Sequence, residues 1–357
     1  MSHIKNIEIK NFKSIRHAKI EDCRRVNVFI GYPNVGKSNI LEAIGLYAIN
    51  ERCTNFSDLV RVEDLTTLFF DGEIRDKVEV RINEKHRIIG SYENENIWFK
   101  QEFERVGSSF EKKDSGIIFS DDSHEVWVKS SFQISAGKEK IIHNLKATSL
   151  GKENELKTFK KFEFLKKSNF SKKEYSELVY PFGENIFNII STNSELRKEI
   201  EELFVPYNLE LLYDARKQQF TILKRTQTGI FSIPYELVAD TLQRVIFYKA
   251  AISSSKQSVL LFEEPEAHMF PPYIAKFTAD VMYDRNSNQF FIATHSPFVL
   301  NDFMEDMEKE DLAIYAVGYL KGETTINRLT DKQVTDIYQY GVDLFFNLEE
   351  FLKDVVS

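Results

Sequence analysis

The residues best suited to chemistry stand in one short stretch near the start of the chain. From Gly31 to Ser38 the chain reads G-x-x-x-x-G-K-S, with one glycine at the beginning of a turn and another just before Lys37. A turn of this kind between a strand and a helix aims backbone N–H groups at a phosphate, and the helix dipole favours the same anion. Lys37 would then contact the β- and γ-phosphates of a nucleotide, and the Ser38 hydroxyl would coordinate Mg²⁺. The predicted nucleotide contacts in this loop are Gly31, Asn34, Val35, Gly36, Lys37, Ser38 and Asn39.

A pair of carboxylates much later in the chain would complete such a site. The apolar residues 259–262 are followed directly by Glu263 and Glu264. A core strand that ends in two acids is the Walker B pattern. It usually accompanies the Walker A motif, which is the G-x-x-x-x-G-K-S pattern from Gly31 to Ser38. Glu263 would hold the Mg²⁺ shell, and Glu264 would accept a proton from the attacking water. Phosphoryl transfer needs mostly positioning and charge neutralisation, so these groups predict ATP hydrolysis.

A histidine beyond this pair is a third candidate. The apolar run from Phe290 to Ala293 is followed by Thr294 and His295. A side chain at the carboxyl end of a core strand faces the crevice where ligands bind in open α/β sheets. We therefore expect His295 to contact the γ-phosphate or the attacking water. The candidate catalytic residues are Lys37, Glu264 and His295.

The hydrophobic pattern indicates the elements that must hold these side chains. Val26 to Ile30 form an apolar run that predicts a buried strand before the loop, and the residues after Ser38 are apolar at helical spacing. Those helical residues are Ile40, Leu41, Ile44 and Tyr47. Between Val78 and Ile134 short alternating runs predict an all-β region, with helices to follow.

Length and composition are those of an ordinary globular protein. The 357 residues exceed the usual single-core size and predict one large domain or two associated ones. No apolar stretch is long enough for a membrane span, and the N-terminus lacks the apolar core of a signal peptide. Cys23 and Cys53 have no metal-type spacing, so we expect reduced thiols in a cytoplasmic protein. The net charge of -8 argues against a protein that coats nucleic acid, but it does not exclude a local basic groove.

One lysine-rich segment leaves two interpretations open. Lysines interleaved with aromatic residues can indicate contact with nucleic acid. The favoured interpretation is a solvated helical face with the phenylalanines turned inward, because glutamates are interspersed among the lysines. The lysines are Lys152, Lys157, Lys160, Lys161, Lys166, Lys167, Lys172 and Lys173, and the phenylalanines are Phe159, Phe162, Phe164 and Phe170.

Four motifs together resemble a known superfamily. They are IEIKNFKSI at the start, GYPNVGKSNILEAI around the loop, VLLFEEPEAH and ATHSPFVLN. In this combination the chain resembles the ABC/SMC-type ATPase heads, especially the SMC-like AAA proteins related to the ATPase half of the OLD nuclease and to the RecF-like repair ATPases. The resemblance implies an α/β fold, namely a P-loop NTPase with a two-lobed ATPase head. A β-rich and then helical insertion would separate the Walker A and Walker B motifs.

The implied domain organisation has four parts. Residues 1–75 would form the first ATPase lobe, 76–230 the variable insertion, 231–330 the second lobe, and 331–357 a C-terminal helical end. Relatives often carry a TOPRIM nuclease domain on the same chain, but too few residues follow ATHSPFVLN to form one. Any effector is therefore expected to be another chain.

The same resemblance implies that two heads pair around ATP and Mg²⁺. Each site would be completed by the signature helix of the other head, which here is the stretch YELVADTLQRVIFYKAAI. Ala239 and Thr241 are the predicted nucleotide contacts from that helix, although the family's usual Ser-x-Gly is replaced by Ala239-Asp240-Thr241. The expected assembly is a homodimer or a higher even-numbered homo-oligomer.

The leading functional prediction is an ATP-hydrolysing head that acts as sensor or switch for a separately encoded effector. The effector would be a nuclease or toxin in bacterial anti-phage defence. The alternative is a DNA-repair-type clamp that binds DNA itself, so nucleic acid stays open as a partner, whereas no membrane partner is expected. A transporter subunit is disfavoured because the signature is degenerate and no Q-loop glutamine is identifiable in residues 51–75.

Overall fold

The computed structural model describes residues 3–49, 55–105, 118–121, 124–135, 141–145, 158–167, 169–172 and 174–352. The chain forms two compact units, the first made of Met1–Phe159 with Glu308–Ser357 and the second of Lys160–Met307. The predicted division into four functional segments stays a prediction.

Strands and helices alternate along the described residues. The strands are β1 (Ile7–Phe12), β2 (Ile15–Ile20), β3 (Val26–Ile30), β4 (Val78–Ile82), β5 (His86–Glu93), β6 (Asn96–Arg105), β7 (Ile118–Asp121), β8 (His124–Ser135), β9 (Ile141–Leu145), β10 (Thr158–Phe162), β11 (Leu209–Asp214), β12 (Gln219–Thr226), β13 (Gly229–Pro234), β14 (Ser258–Glu263), β15 (Gln289–Ala293), β16 (Leu312–Leu320) and β17 (Glu323–Arg328). The α-helices are α1 (Lys37–Gly45), α2 (Ile186–Thr192), α3 (Ser194–Glu202), α4 (Asp240–Ser254), α5 (Pro271–Met282), α6 (Pro297–Asp306), α7 (Asp331–Tyr340) and α8 (Leu348–Leu352).

The first unit contains an antiparallel sheet that confirms the predicted all-β region. Its strands follow the order β2-β1-β4-β5-β6-β8-β7, and β9 also pairs with β8. Alternation along β4, in which Val78, Val80 and Ile82 are buried, gives the sheet one apolar face. The predicted β-rich region thus extends the N-terminal strand pair, because β4 pairs with β1.

A second group of strands in the first unit holds the predicted phosphate-binding loop. All five residues of β3 are buried, as its apolar run predicts, and β3 pairs in parallel with β16. Strand β16 returns antiparallel as β17. The helix after the loop buries Ile40, Leu41 and Ile44 as expected, but it ends at Gly45. A 3₁₀ turn, Leu46–Ala48, carries the buried Tyr47.

The second unit carries the carboxylate strand. In it β14 and β15 pair in parallel, and every residue of β15 is buried. Strands β11, β12 and β13 form a small antiparallel sheet. The side chain of Asn193 accepts from the Leu196 N–H and caps α3.

The lysine-rich segment departs from the favoured interpretation. Residues 158–162 form the strand β10 rather than a helix, and no helix occurs in the described residues from there to Asn185. Phe159 and Phe162 are buried as predicted, but so are Lys160 and Lys161. Lys160 Nζ pairs with Glu177 Oε1 at 3.0 Å and donates to Ser255 Oγ, which compensates the buried charge. Lys152, Lys157 and Lys173 lie outside the described residues.

Two further sequence expectations concern cysteines and membranes. Cys23 is a buried free thiol, and burial raises its pKa to about 12, so it is held as a neutral core side chain. Cys53 lies outside the described residues. Within the part of the chain that the structure describes, no helix has the length and apolarity to cross a membrane.

Candidate nucleotide-binding site

The glycine-bracketed loop leaves the end of β3 and enters α1. Gly31 is tightly enclosed, because a Cβ there would lie 2.9 Å from the Val35 side chain and collide with the Val317 carbonyl. Asn34 and Gly36 have φ values of 63° and 103°, in the left-handed region that reverses the chain. The loop therefore has the local backbone bends of a phosphate-binding turn.

Lys37 lies inside the loop rather than in solvent. Its side chain is only 5% exposed, and its Nζ donates to the carbonyl oxygens of Gly31 and Tyr32, each at 2.9 Å. The ammonium group is thus held by the loop that it is predicted to serve. A phosphate at the loop would meet a cation that is already positioned, so little side-chain entropy would be lost on binding.

Ser38 and Asn39 occupy the first turn of α1. Ser38 is partly exposed, whereas the Asn39 side chain donates through Nδ2 to Ser14 Oγ at 2.6 Å. The hydroxyl of a partly exposed serine beside a phosphate loop suits Mg²⁺, which keeps several waters and takes few protein ligands. Asn39 is tied into the support of the loop, so its predicted contact with nucleotide stays a prediction.

A cavity of about 570 Å³ lies in the same unit and shares Ser14 with the loop support. Its walls include Lys13, Arg61 and Phe69. Fully buried Glu42 of α1 accepts from Arg61 Nε at 2.7 Å and also pairs with Lys13 Nζ. The buried Glu42 carboxylate binds two cations, and these ion pairs attach α1 to the cavity wall. The Lys13 and Arg61 side chains therefore stay beside the cavity. Sequence analysis missed this cavity, although Lys13 belongs to the quoted motif IEIKNFKSI.

The carboxylate pair stands where β14 ends, in the second unit. Glu263 is the last residue of β14 and pairs in register with Ala293 of β15. The Glu264 N–H donates to the Ala293 carbonyl at 2.8 Å, and a φ of 42° then turns the chain away. Glu263 and Glu264 therefore lie at the carboxyl end of β14 with different backbone conformations. Their side chains can serve different roles for this reason.

His295 reaches the second of these carboxylates. Its Nε2 lies 3.4 Å from Glu264 Oε1, with the His295 and Glu264 side chains 34% and 50% exposed. The structure thus brings these two candidate residues together at the ends of neighbouring strands, and their catalytic roles stay a prediction. The geometry joins a carboxylate that can accept a proton to an imidazole that can orient it.

Glu266 also belongs to this cluster, and sequence analysis missed it. Its Oε1 accepts from Thr294 Oγ1 at 2.6 Å and from the His295 N–H at 3.1 Å. Its Oε2 is buried without a hydrogen-bond partner among the described residues. Glu266 thereby ties the carboxylate loop to the histidine loop. The signal was the third acid of the E-E-P-E run, two residues beyond Glu264.

Burial raises the pKa of the Glu266 carboxyl above its usual range, and the donors Thr294 and His295 only partly offset that effect. The folded state therefore binds the proton more tightly than the unfolded state does. Stability from this group is present below the ordinary glutamate pKa and is lost as pH rises through the raised pKa.

We expect Glu266→Gln to gain stability relative to the wild type as pH increases from 4 to 8. Thermal melting of both proteins across that range measures the difference, and the exposed Glu236→Gln serves as the matched control. A difference that stays constant or shrinks with rising pH would show that Glu266 is held as a carboxylate.

The signature-like residues stand at the start of α4. Ala239 precedes the helix, and its side chain makes no capping hydrogen bond. Thr241 Oγ1 donates to the His268 carbonyl at 2.8 Å, and Asp240 pairs with Arg244 at 2.8 Å. Thr241 thus joins the helix start to the loop after the carboxylates. Its predicted contact with a second head's nucleotide stays a prediction.

Comparison with known proteins decides the family. Residues 26–301 match the family described as "AAA domain, putative AbiEii toxin, Type IV TA system", and that range is more than half of the chain. The chain belongs to this AAA family. The matched range of the AAA protein begins with β3 and ends beyond His295, so it includes the loop, the carboxylates and the histidine.

Curated relatives match shorter parts of the AAA protein. An ATP/GTP phosphatase of Helicobacter pylori is 31% identical over 88 residues, which are 22% of this chain and 24% of that protein. The DNA replication and repair protein RecF of Caldanaerobacter subterraneus subsp. tengcongensis is 36% identical over 64 residues, 17% of this chain and 18% of RecF. The chain therefore spans about a quarter or less of the length of these relatives.

A solved structure extends the likeness to almost the whole AAA chain. An SMC head bound to the C-winged helix domain of ScpA aligns with a TM-score of 0.52 at 14% identity, over 94% of this chain and 100% of that one. The fold is that of an SMC-type P-loop NTPase head. The predicted fold class and the resemblance to the SMC/ABC-type AAA ATPases are confirmed.

Proposed function

We propose that this AAA protein binds and hydrolyses ATP as a head that pairs with a second copy, and that it switches a separately encoded effector. The observation that carries the proposal is the contact between Glu264 and His295 at the end of a core strand. Nucleotide binding alone does not require a carboxylate beside an imidazole, whereas hydrolysis uses a general base. The matched range of residues 26–301 includes the candidate phosphate-binding loop from Gly31 to Ser38, which ATP hydrolysis also requires.

The first unit would bind ATP through its phosphates and its nucleoside. Lys37 would exchange the carbonyls of Gly31 and Tyr32 for phosphate oxygens. The cavity of about 570 Å³ is large enough to take part of a nucleoside, and Lys13 and Arg61 would supply cations at its wall. The Glu42 carboxylate would keep those two cations in place when ATP is bound.

Ser38 and Glu263 would hold Mg²⁺. One hydroxyl and one carboxylate fit an ion that takes most of its remaining ligands from water and phosphate oxygens. When bound, Mg²⁺ would neutralise phosphate charge that develops during transfer.

Glu264 would act as the general base and His295 as its neighbour at the γ-phosphate. The half-exposed Glu264 carboxylate has room to receive a proton from a water molecule. The Glu266 carboxylate would hold the His295 backbone so that its ring stays beside Glu264. Together these groups would position the water and the transferred phosphoryl group.

The surface beside Ala239 supports pairing with a second copy. Leu237 and Phe270 are 71% and 64% exposed, and they flank the start of α4 and the start of α5. Large apolar side chains beside polar helix starts are typical of protein interfaces. We propose that Thr241 and Ala239 approach the nucleotide of the second copy from this surface.

If pairing completes the site, specific ATPase activity should rise with protein concentration. Leu237→Glu should lower activity several-fold at low concentration, because a charge would enter the pairing surface, and high concentration should restore part of it. The matched control is Phe346→Glu, since Phe346 is 86% exposed in the other unit. Activity independent of concentration in all three proteins would contradict pairing, unless the wild type is already a dimer at every concentration tested.

A nuclease or toxin as effector, and a role in anti-phage defence, are the finer part of the proposal. The family description names a putative toxin and a toxin–antitoxin system, which supports a paired effector. The DNA-clamp alternative has less local support, because Lys160 and Lys161 are buried. Among the other lysines of the segment that the structure describes, Lys166 and Lys172 are exposed. The genes encoded beside this one would be the most informative observation on the effector.

A further inference from the structure

A chain of hydroxyl groups lies under the phosphate-binding loop. Thr324 of β17 is 2% exposed, and its Oγ1 donates to the Val35 carbonyl at 2.9 Å. Ser14 Oγ lies 2.7 Å from Thr324 Oγ1, and Asn39 Nδ2 donates to Ser14 Oγ at 2.6 Å. A hydroxyl has one proton to donate, so Thr324, which donates to Val35, must accept from Ser14. The hydrogen bonds therefore run in one direction, from Asn39 through Ser14 and Thr324 to Val35.

The last bond of this chain fixes one peptide plane of the loop. The Val35 carbonyl and the Gly36 N–H belong to the same planar trans peptide group, so they point in opposite directions. Holding the carbonyl on Thr324 turns the Gly36 N–H away from Thr324. A phosphate loop binds its anion through successive N–H groups that point to one side.

Gly36 is the residue that this support requires. Its φ is 103°, and a Cβ there would collide with Thr324 Oγ1 and lie 2.8 Å from Ser14 Oγ. The second glycine of the loop motif thus leaves room for the hydroxyl chain as well as permitting the turn. No part of the sequence motif contains Thr324, which stands far along the chain in β17.

We propose that Thr324 is a positioning residue for ATP, acting through the Val35–Gly36 peptide; this inference rests on the proposed function. Loss of its hydroxyl leaves the Val35 carbonyl without its donor. Rotation of the peptide would relieve that cost, and the same rotation would turn the Gly36 N–H away from the phosphate. The ground state and the transition state of hydrolysis would both lose this contact.

The neighbouring threonine provides a matched control. Thr325 follows Thr324 in the same strand, and its Oγ1 is buried without a hydrogen-bond partner among the described residues. Thr325→Val therefore makes the same chemical change at a place where no donor is lost. Thr324→Ser keeps the hydroxyl and removes only a methyl group, so it should restore binding.

The experiment measures ATP affinity and steady-state hydrolysis for the full chain and these variants. We expect Thr324→Val to raise the dissociation constant of ATP and the KM about tenfold with kcat nearly unchanged, since it removes a contact present throughout the reaction. Ser14→Ala should give a smaller rise, because Thr324 still donates to Val35. Thr324→Ser and Thr325→Val should bind ATP as the wild type does.

Three results would overturn the inference. They are unchanged ATP affinity in a folded Thr324→Val, an equal loss in Thr325→Val, and an equal loss in Thr324→Ser. If Thr324→Val does not fold, wild-type affinity in Ser14→Ala would overturn it instead. A wild-type chain that does not bind ATP would refute the proposed function itself, which is a separate outcome.

Discussion

Lys37→Met is expected to abolish ATP hydrolysis and to weaken ATP binding roughly a hundredfold, the cost of two charge-assisted hydrogen bonds to phosphate. Lys37 is the cation enclosed by the loop, with its Nζ held by the carbonyls of Gly31 and Tyr32. Methionine is unbranched and of similar length, so it keeps the packing of the buried stem while it removes the charge.

Binding of a fluorescent ATP analogue and release of inorganic phosphate measure the effect of Lys37→Met. The matched control is Lys332→Met at the exposed start of α7, which should bind and hydrolyse ATP as the wild type does. Thermal melting without nucleotide should confirm that both variants fold. Phosphate release near the wild-type rate in a folded Lys37→Met would show that the loop does not serve catalysis.

Glu264→Gln is expected to keep ATP binding while hydrolysis falls by roughly two orders of magnitude or more, as for the loss of a general base. Its side chain is 50% exposed, and the amide keeps the shape of the carboxylate, so stability should change little. Single-turnover hydrolysis with radiolabelled ATP separates the chemical step from binding.

Glu263→Gln is the matched control for that variant, because it makes the same change one residue earlier in the chain. Its hydrolysis should recover in part at high Mg²⁺ concentration, since the proposed role of Glu263 is to hold the metal ion. If Glu263→Gln traps ATP without hydrolysis and Glu264→Gln needs more Mg²⁺, the two carboxylates have been assigned the wrong way round.

The sequence was sufficient for features whose determinants are local. The loop follows an unbroken apolar run and contains its own glycines, so the strand β3, the turn and the start of α1 could be predicted residue by residue. The end of β14 at Glu263 was predictable for the same reason. The resemblance to SMC-type heads was carried by these same short motifs.

Features that depend on distant residues were not predictable from one sequence. Thr324 supports the loop through Val35, which lies 289 residues earlier in the chain. The sequence around Thr324 contains no signal of that role. Glu266 becomes part of the site only because Thr294 and His295 follow the neighbouring strand. Lys160 and Lys161 were expected in solvent but are buried, and the carboxylate that pairs with Lys160 belongs to Glu177, beyond the last lysine of the segment.

The most direct test of the proposed head is sedimentation of Glu264→Gln with ATP and Mg²⁺ across micromolar protein concentrations. Binding energy then accumulates without the hydrolysis that would release the pair, so nucleotide should favour the assembled form. We predict a dimer or larger even-numbered assembly with one ATP bound to each chain, and dissociation or weaker assembly when Lys37→Met is added to the same variant. A strict monomer with full ATP occupancy at every concentration would contradict the account.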